Sequence, residues 1–278
     1  MFIEGVIKYY DFKDMFDLEN SLPLGIFEDF LLENKNWSSI ECSNKYQQGF
    51  VSSQRINAFF KPFEKKQNAK KNVFDILAFF KRLETISYVK LNYSLIDYVL
   101  KKFYFNEIYE VSCGTDFQHN LVQSRVKIYF TFKGGFSKKI YDIIDMHGCV
   151  QKTTEFYKIA NESHQLIGIE LSFSGTTRFK LYPRFWKDNF EPLKPLFDMK
   201  IFTMFKRCIG ISISFDKDLN TIIHFCPKNT DDFINSLYNQ DIFSINKIYK
   251  DNGYNIRYFG LLEKELLENK FSTANFYC

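Results

Sequence analysis

The chain has 278 residues, of which 45% are hydrophobic and 25% charged, and its formal net charge is +4. This balance is typical of a soluble globular protein and excludes a disordered or collagen-like chain. The net charge is too small to indicate a nucleic-acid partner. No stretch approaches the roughly 18 apolar residues of a membrane-spanning helix, and no secretory signal opens the sequence. We therefore expect neither nucleic acid nor a membrane as a partner.

The six cysteines are scattered and form no C-x-x-C pair, and the histidines form no H-x-x-x-H pair. A structural zinc site requires closer spacing, so we expect no metal held by cysteine or histidine. Reduced, mostly buried thiols predict a cytoplasmic protein. The aromatic content of 19% reflects either the base composition of the gene or a site that uses aromatic faces.

Helical periodicity and extended stretches alternate along the chain. The periodicity predicts helices at residues 22–32, 72–83, 94–102, 138–146, 230–238 and 242–250. Stretches rich in β-branched and aromatic residues predict five strand pairs: 37–44 with 48–60, 107–115 with 124–132, 166–174 with 176–184, 206–215 with 220–225, and 254–262 with 271–277. Short links make each pair antiparallel. No linker divides the chain, so we predict a single domain over residues 1–278.

Ten antiparallel strands with helices between successive pairs predict an α+β fold. They could form an open sheet with one covered face, or a barrel with the helices outside. Closure into a barrel removes the two exposed edges that so many strands would otherwise present. A ten-stranded barrel is wider than side chains alone can fill, so it would enclose a chamber.

Two predicted strands carry the pattern R-x-K-x-Y on one face. The residues are Arg125, Lys127 and Tyr129 in the first, and Arg178, Lys180 and Tyr182 in the second. Alternate side chains of a strand share a face, so the apolar residues between them point the other way. The basic faces are either solvent-exposed or turned into a barrel. Buried cations without an anion cost several kcal/mol each, so in a barrel they indicate a bound polyanion.

Arginine and lysine suit phosphate oxygens, and the chain lacks both a P-loop and a G-x-G-x-x-G turn. Tyrosine faces stabilise a nearby cation by about 0.5–2 kcal/mol. Together these features indicate an enzyme that ionises an allylic diphosphate. Glu41 shares a strand face with Trp37 in the predicted alternation and could accept a proton from the nucleophile. Alternatively, the Glu41 carboxylate pairs with Lys45 or Arg55.

The sequence resembles the cyanobactin peptide prenyltransferases, the LynF/TruF/PatF family, from about Leu22 to the carboxy terminus. The resemblance is carried by PLGIFEDF at 23–30, KLNYSL at 90–95, SCGTD at 112–116, SRVK at 124–127 and IGIE at 167–170. It implies the ABBA prenyltransferase barrel, a ten-stranded antiparallel barrel surrounded by helices and built of repeated α-β-β-α units. It also implies transfer of a geranyl or dimethylallyl group from its diphosphate to a side chain of a ribosomal, often cyclic, peptide with the help of Mg²⁺.

By position, the resemblance implies a role for each of several residues. Glu41 matches the catalytic carboxylate, and Arg55 and Lys127 match diphosphate ligands. Tyr182 and Tyr129 match the aromatic shield over the allyl cation, and Tyr258 borders the acceptor pocket, to which we also assign Trp37 and His224.

Two departures from the family pattern bear on the donor. Arg178 and Lys180 stand where members can carry carboxylates, so we assign both to the diphosphate and expect their charge to replace part of the role of Mg²⁺. Cys208 falls near a position where enzymes limited to the five-carbon donor have Phe. The smaller side chain predicts a deeper prenyl pocket and geranyl rather than dimethylallyl diphosphate as donor.

Two other functions remain open at this point. The same barrel could prenylate a small phenol or indole instead of a peptide. It could also be a non-enzymatic barrel that binds a lipid or an anion.

Overall fold

A computed structural model of the protein describes residues 2–15, 20–34, 37–47, 50–60, 67–133, 139, 142, 151–160, 164–186, 189–215 and 220–278. The chain divides into two compact units. Unit 1 comprises Met1–Cys42, Ser53–Lys133 and Leu166–Lys180, and unit 2 comprises Ser43–Ser52, Gly134–Gln165 and Leu181–Cys278. The single domain expected from the sequence stays a prediction.

The helices of the described residues precede the first strand or lie between strands. They are α1 (Phe2–Met15), α2 (Leu22–Glu33), α3 (Gln67–Leu83), α4 (Ser94–Lys102), α5 (Gln151–Ala160), α6 (Met199–Phe205), α7 (Thr230–Asn235), α8 (Gln240–Asp251) and α9 (Glu263–Glu268). Several begin at a side-chain cap. Ser21 accepts a hydrogen bond from the Leu24 N–H, and Asn229 and Asn239 cap α7 and α8 in the same way.

The strands are β1 (Trp37–Gln47), β2 (Phe50–Phe60), β3 (Ile108–Phe117), β4 (Arg125–Lys133), β5 (His164–Ser172), β6 (Thr177–Tyr182), β7 (Arg184–Phe185), β8 (Cys208–Phe215), β9 (Thr221–Pro227), β10 (Tyr258–Leu262) and β11 (Thr273–Tyr277). In unit 1 the strand order is β6-β5-β4-β3-β2-β1. In unit 2 it is β1-β11-β10-β9-β8-β7, because β1 contributes residues to both units. The pairs β2/β3, β3/β4, β8/β9 and β10/β11 are antiparallel.

In unit 1 one face of the sheet is apolar and packs against helices. Val126, Ile128 and Phe130 of β4 are fully buried. The Phe30 ring of α2 lies 6.1 Å from that of Phe60 on β2. This leaves the alternate residues of the same strands, including the R-x-K-x-Y side chains of β4, on the opposite, polar face.

Unit 2 repeats this arrangement with a phenylalanine core. Phe225 of β9 and Phe259 of β10 are fully buried, and Phe233 of α7 lies 5.0 and 5.4 Å from their rings. Their alternate neighbours, His224 and Gly260, face the other side and lie opposite each other in the β9/β10 register.

The sequence predicted most of the strands but missed three helices and one strand boundary. The missed helices are α1, α5 and α6, whereas α9 lies where the sequence indicates a charged helical turn between strands 254–262 and 271–277. Pro183 divides the predicted strand 176–184, because proline has no N–H to donate to a ladder. Its carbonyl accepts hydrogen bonds from Ser212 and Ile213, and β7 follows it beside β8. The predicted helix 138–146 falls almost entirely outside the described residues.

Within the part of the chain that the structure describes, no helix has both the length and the apolar composition needed to cross a bilayer.

Candidate functional site

Six ionisable side chains meet on the polar face of unit 1. We call them the charged cluster: Arg55 of β2, Asp116 of β3, Arg125 and Lys127 of β4, Glu170 of β5 and Lys180 of β6. The strand register brings them together, since Arg55 lies opposite Asp116 and Asp116 lies opposite Arg125.

Asp116 is the centre of one half of the charged cluster. Its Oδ2 lies 3.3 Å from the Arg55 Nε, 3.4 Å from the Arg125 Nε and 3.7 Å from the Lys127 Nζ. The Oδ1 accepts a hydrogen bond from the Gln118 side-chain amide. One carboxylate therefore orients two guanidinium groups and an ammonium group.

Glu170 is the centre of the other half. Its Oε1 lies 2.8 Å from the Lys180 Nζ and 3.5 Å from the Lys127 Nζ, and its Oε2 lies 3.4 Å from the Arg125 Nη1. The two strands with the R-x-K-x-Y pattern thus approach a common carboxylate. Their basic residues form one cluster rather than two separate basic surfaces.

The carboxylates are more buried than the cations. The side chains of Asp116 and Glu170 are 1% and 3% exposed, whereas those of Arg125 and Lys180 are 31% and 23% exposed. Four cations against two carboxylates leave an excess of two positive charges. The accessible part of the charged cluster is therefore positive and fits an anion.

The protonation states follow from this arrangement. Burial alone would raise the pKa of Asp116, but the charges of Arg55, Lys127 and Arg125 outweigh it and lower the pKa to about 2. The pKa of Glu170 is likewise lowered well below its usual range, because Lys180, Lys127 and Arg125 outweigh its burial. Burial lowers the pKa of Lys127 to about 8, although Glu170 and Asp116 oppose the shift. Both carboxylates are thus ionised at neutral pH, and Lys127 holds its proton weakly.

The two carboxylates correct an inference drawn from the sequence. The cations were expected to lack an anion within the protein, whereas Asp116 and Glu170 supply part of the compensating charge. Glu170 was detectable, because it is the one carboxylate in the otherwise apolar stretch of residues 166–171. Only the excess charge, not the whole cationic set, now indicates a bound anion.

Glu41, the predicted catalytic carboxylate, lies on the same polar face. Its Oε1 accepts a hydrogen bond of 2.9 Å from the Asn57 Nδ2 on β2. Asn57 lies opposite Gly114, and Gly114 lies opposite Lys127. Neighbouring strands are about 4.8 Å apart, so Glu41 lies about three strand spacings from Lys127 along this row. Tyr129, a predicted shield residue, borders the row, with its Cε2 3.3 Å from a Cβ built on Gly114.

Two predicted site residues, Trp37 and Arg178, belong to unit 1 but do not join the charged cluster. Trp37 is 1% exposed, its indole N–H donates to the Leu31 carbonyl at 2.9 Å, and its ring packs on Gly5 of α1. The predicted common face with Glu41 is therefore wrong for Trp37, because as the first residue of β1 it packs with the helices. These contacts give no support to its predicted place in the acceptor pocket.

Arg178 precedes Lys180 by two residues on β6 and is exposed. Among the ion pairs of the described residues, none joins Arg178 to a carboxylate of the charged cluster. The polar face of β6 therefore contributes Lys180 to the charged cluster but not Arg178, whose diphosphate contact stays a prediction.

In unit 2 the polar face carries a row of aromatic rings, which we call the aromatic wall. It consists of Tyr182, His224, Tyr277, Tyr258 and Trp186. The His224 ring lies 6.1 Å from Tyr182 and 5.9 Å from Tyr277, and its Nε2 is 2.7 Å from the Ser214 Oγ. Tyr258 lies opposite Tyr277 and meets Trp186 edge to face at 6.3 Å.

Trp186 and Tyr277 were missed by the sequence analysis. The Trp186 ring lies on Gly210, where a Cβ would come within 2.2 Å of a ring carbon, yet the side chain is 37% exposed. A tryptophan this exposed, held in place by a glycine, is a candidate for contact with a ligand. Trp186 was difficult to predict from the sequence, because the strand that precedes it, β7, has only two residues.

Cys208, predicted to set the size of the prenyl pocket, is fully buried at the start of β8. Its thiol donates to the Met204 carbonyl of α6 at 3.6 Å, and burial raises its pKa to about 12. The thiol is therefore protonated and unreactive at neutral pH. Its influence on donor length stays a prediction.

The charged cluster does not fit the predicted Mg²⁺. Magnesium binds carboxylate and phosphate oxygens, so Asp116 and Glu170 would be its protein ligands. Each already lies within 3.7 Å of three cations, and the net positive charge would repel a dication. The described residues contain no group of three or more histidine, cysteine or acidic side chains arranged to hold a metal.

Comparison with known proteins gives a family and a fold. A profile of a family of unknown function, DUF5838, matches residues 6–278. No curated protein matches the sequence. The crystal structure of NotF in complex with brevianamide F and DMSPP superposes with a TM-score of 0.58 at 12% identity, covering 97% of this chain and 91% of that one. A second structure, of NotF prenyltransferase, superposes with a TM-score of 0.53 at 12% identity, covering 86% of this chain and 79% of that one.

The likeness to NotF confirms the predicted fold class, an antiparallel barrel with helices around it. The described residues form eleven strands, where the sequence predicted ten. At this level of identity the likeness carries the fold and not the activity.

Proposed function

This chain belongs to the family of unknown function DUF5838, and we propose that it is a prenyltransferase that moves an isoprene group from its diphosphate to a peptide side chain. The observation that carries the proposal is the charged cluster, whose buried carboxylates lie beneath accessible cations and leave an excess of positive charge. Such a cluster on the polar face of a strand array, in a chain with the fold of NotF prenyltransferase, suits the diphosphate of an isoprenyl donor.

Donor binding is the first step. The Arg125 and Lys180 side chains are the most accessible cations of the cluster, so we assign them the first contacts with the diphosphate. Lys127 is more deeply buried, and burial disfavours its charged form in the free protein. A nearby anion therefore stabilises the Lys127 ammonium more than it stabilises the other cations. Arg55 completes the set through Asp116.

Ionisation follows. The allylic C–O bond breaks, its electron pair leaves with the diphosphate, and the cluster stabilises the charge that develops on the leaving oxygen. Lys127, Arg125 and Lys180 are already oriented by two carboxylates, so little reorganisation accompanies this step. In this scheme the cations of the protein stabilise the charge on the leaving group, and no step requires Mg²⁺.

The allyl cation must then be kept from water, which would convert it to the alcohol. Tyr129, 9% exposed on the same polar face of unit 1, offers a ring that stabilises a cation by about 0.5–2 kcal/mol. The sequence resemblance gives Tyr182 the same role, which stays a prediction.

The acceptor side chain attacks the allyl carbon, a new bond forms, and the proton of the nucleophile passes to Glu41. The carboxylate is half-buried and held by Asn57, so it is oriented to accept a proton. Regeneration of the enzyme then needs loss of that proton to water and release of the diphosphate and the prenylated product.

A peptide is our first candidate for the acceptor, on the strength of the sequence resemblance to cyanobactin peptide prenyltransferases. A small-molecule acceptor is the second candidate, because the structure of NotF holds brevianamide F. His224, Tyr258 and Trp186 of the aromatic wall are the acceptor contacts that we assign in either case.

Mass spectrometry of the products tests both the reaction and its specificity. The protein is incubated with short cyclic peptides and with free tryptophan and phenolic compounds, each with geranyl and with dimethylallyl diphosphate. We expect a prenylated cyclic peptide, formed faster from geranyl diphosphate. Exclusive use of dimethylallyl diphosphate would refute the predicted donor, and exclusive prenylation of the small compounds would move the acceptor to the second candidate. Absence of any product would favour the remaining hypothesis, a non-enzymatic barrel that binds a lipid or an anion.

A further inference from the structure

Asn57 lies between the predicted proton acceptor and the charged cluster, and no role was predicted for it from the sequence. It belongs to β2 and its side chain is 8% exposed. Its Nδ2 donates a hydrogen bond of 2.9 Å to the Glu41 Oε1. The amide thus connects to a carboxylate on the neighbouring strand, on the face that carries the charged cluster.

The other end of the Asn57 amide occupies the space left by a glycine. A Cβ built on Gly114 would lie 2.1 Å from the Asn57 Oδ1, a separation that real Cβ atoms do not adopt. Gly114 therefore leaves the room in which the amide lies, and the Tyr129 ring borders that room from the next strand, with its Cε2 3.3 Å from the same Cβ position. Any larger residue at 114 would displace the amide.

We propose that Asn57 is a positioning residue that holds the Glu41 carboxylate ready to accept the proton of the acceptor, and that Gly114 is required because it admits the Asn57 side chain. The part that concerns proton acceptance rests on the proposed prenyl transfer. The hydrogen bond and its dependence on Gly114 do not.

The physical basis is the preference of a donor for the charged form of its acceptor. A hydrogen bond from an amide N–H stabilises an ionised carboxylate over its protonated form. It also holds the carboxylate in one rotamer, so that an oxygen stays aimed at the polar face of the sheet. Loss of the amide would leave Glu41 with a higher affinity for protons and a wider range of orientations.

Two variants remove the contact by different routes. Asn57→Ala deletes the donor, and Gly114→Ala displaces it without changing Asn57 or Glu41. We expect each to raise the Glu41 pKa by about one unit, measured by carbon NMR titration of labelled glutamate with Glu41→Gln identifying the signal. The double variant should shift no further than either single one, since both break the same hydrogen bond. Gly25→Ala is the matched control, because a Cβ there meets nothing within 4 Å.

The pH profile of kcat/KM gives the second readout. The acid limb, which reports ionisation of the base, should move to higher pH in Asn57→Ala and Gly114→Ala by the amount seen in the titration, and Glu41→Gln should abolish it. An unchanged Glu41 titration in both variants would overturn the proposal. A shifted titration with an unchanged acid limb would keep the Asn57 contact but remove Glu41 as the proton acceptor, and with it that part of the proposed function.

Discussion

Glu170 lies beneath Lys180, with its Oε1 2.8 Å from the lysine Nζ and its side chain 3% exposed against 23% for the lysine. The same oxygen lies 3.5 Å from the Lys127 Nζ, so one carboxylate joins strands that are separated in sequence. This relationship keeps the cations in place while leaving them accessible.

Removing the Glu170 charge should destabilise the protein and make it depend on an added anion. Glu170→Gln leaves Lys127 and Lys180 facing each other without their shared partner, and breaking a buried pair in this way costs about 3–5 kcal/mol. Urea denaturation measures the loss. Inorganic pyrophosphate should raise the thermal midpoint of Glu170→Gln more than that of the wild type.

Glu33→Gln is the control for this experiment, because it removes the carboxylate of an ion pair with Arg82 in which both side chains are exposed. Such a pair contributes at most about 1 kcal/mol. Equal effects of the two substitutions, or an equal response to pyrophosphate, would contradict the role given to Glu170.

The affinity for the donor should fall as the pH rises through about 8. Burial lowers the pKa of Lys127 to about 8 in the free protein, against the pull of Glu170 and Asp116. Below that pH the ammonium is charged and attracts the diphosphate; above it the amine is neutral and the attraction is lost. The donor KM should therefore rise above pH 8. At saturating donor, kcat should change less, because a bound diphosphate is a nearby negative charge that should raise the Lys127 pKa.

Lys127→Arg distinguishes titration of Lys127 from titration of other groups, since a guanidinium stays charged over the whole pH range of the experiment. The variant should lose the rise in donor KM, and Lys180→Arg should keep it. A flat donor KM in the wild type from neutral pH upward would show that Lys127 does not carry the binding charge.

Much of the fold was readable from the sequence, because strand alternation is a strong signal. In β4, Val126 and Ile128 alternate with Arg125 and Lys127, and this pattern gave both the apolar and the polar face correctly. The same alternation predicted the wrong face for Trp37, because the side chain of the residue that begins a strand can pack against the helices beside it.

Only the cations of the charged cluster could be predicted from the sequence. The cations share a repeated pattern, but Asp116 and Glu170 lie on other strands and meet them only through the register. The sequence predicted that strands 107–115 and 124–132, and strands 166–174 and 176–184, form pairs. The register within each pair decides which side chains meet, and the alternation of side chains along a strand does not define it. The Asn57 contact with Glu41 was missed for the same reason.

Trp186→Ala should weaken acceptor binding and leave donor binding unchanged. The Trp186 side chain is 37% exposed at the end of the aromatic wall, and a stacked acceptor ring would gain about 0.5–1.5 kcal/mol from it. The acceptor KM should rise severalfold while the donor KM stays constant. Tyr104→Ala, which removes a ring that is 75% exposed in unit 1, is the control. A change in donor KM alone would exclude Trp186 from the acceptor contacts.

Chelation of divalent metals should have little effect on turnover. The charged cluster already carries an excess of two positive charges, so its own cations offset the diphosphate. We expect product formation in EDTA at a rate close to that with added Mg²⁺, and the same donor affinity by calorimetry in both buffers. Loss of donor binding in EDTA would restore the metal to the reaction.

The most direct measurement is calorimetric titration of geranyl diphosphate, without acceptor, into the wild type and three lysine variants. A charge-assisted hydrogen bond contributes about 1.5–3 kcal/mol, so Lys127→Ala and Lys180→Gln should each weaken binding at least about tenfold. Lys101→Gln, on the exposed surface of α4, should bind as the wild type does. Equal affinity for all four proteins would contradict the account, because the charged cluster would then not be where the donor diphosphate binds.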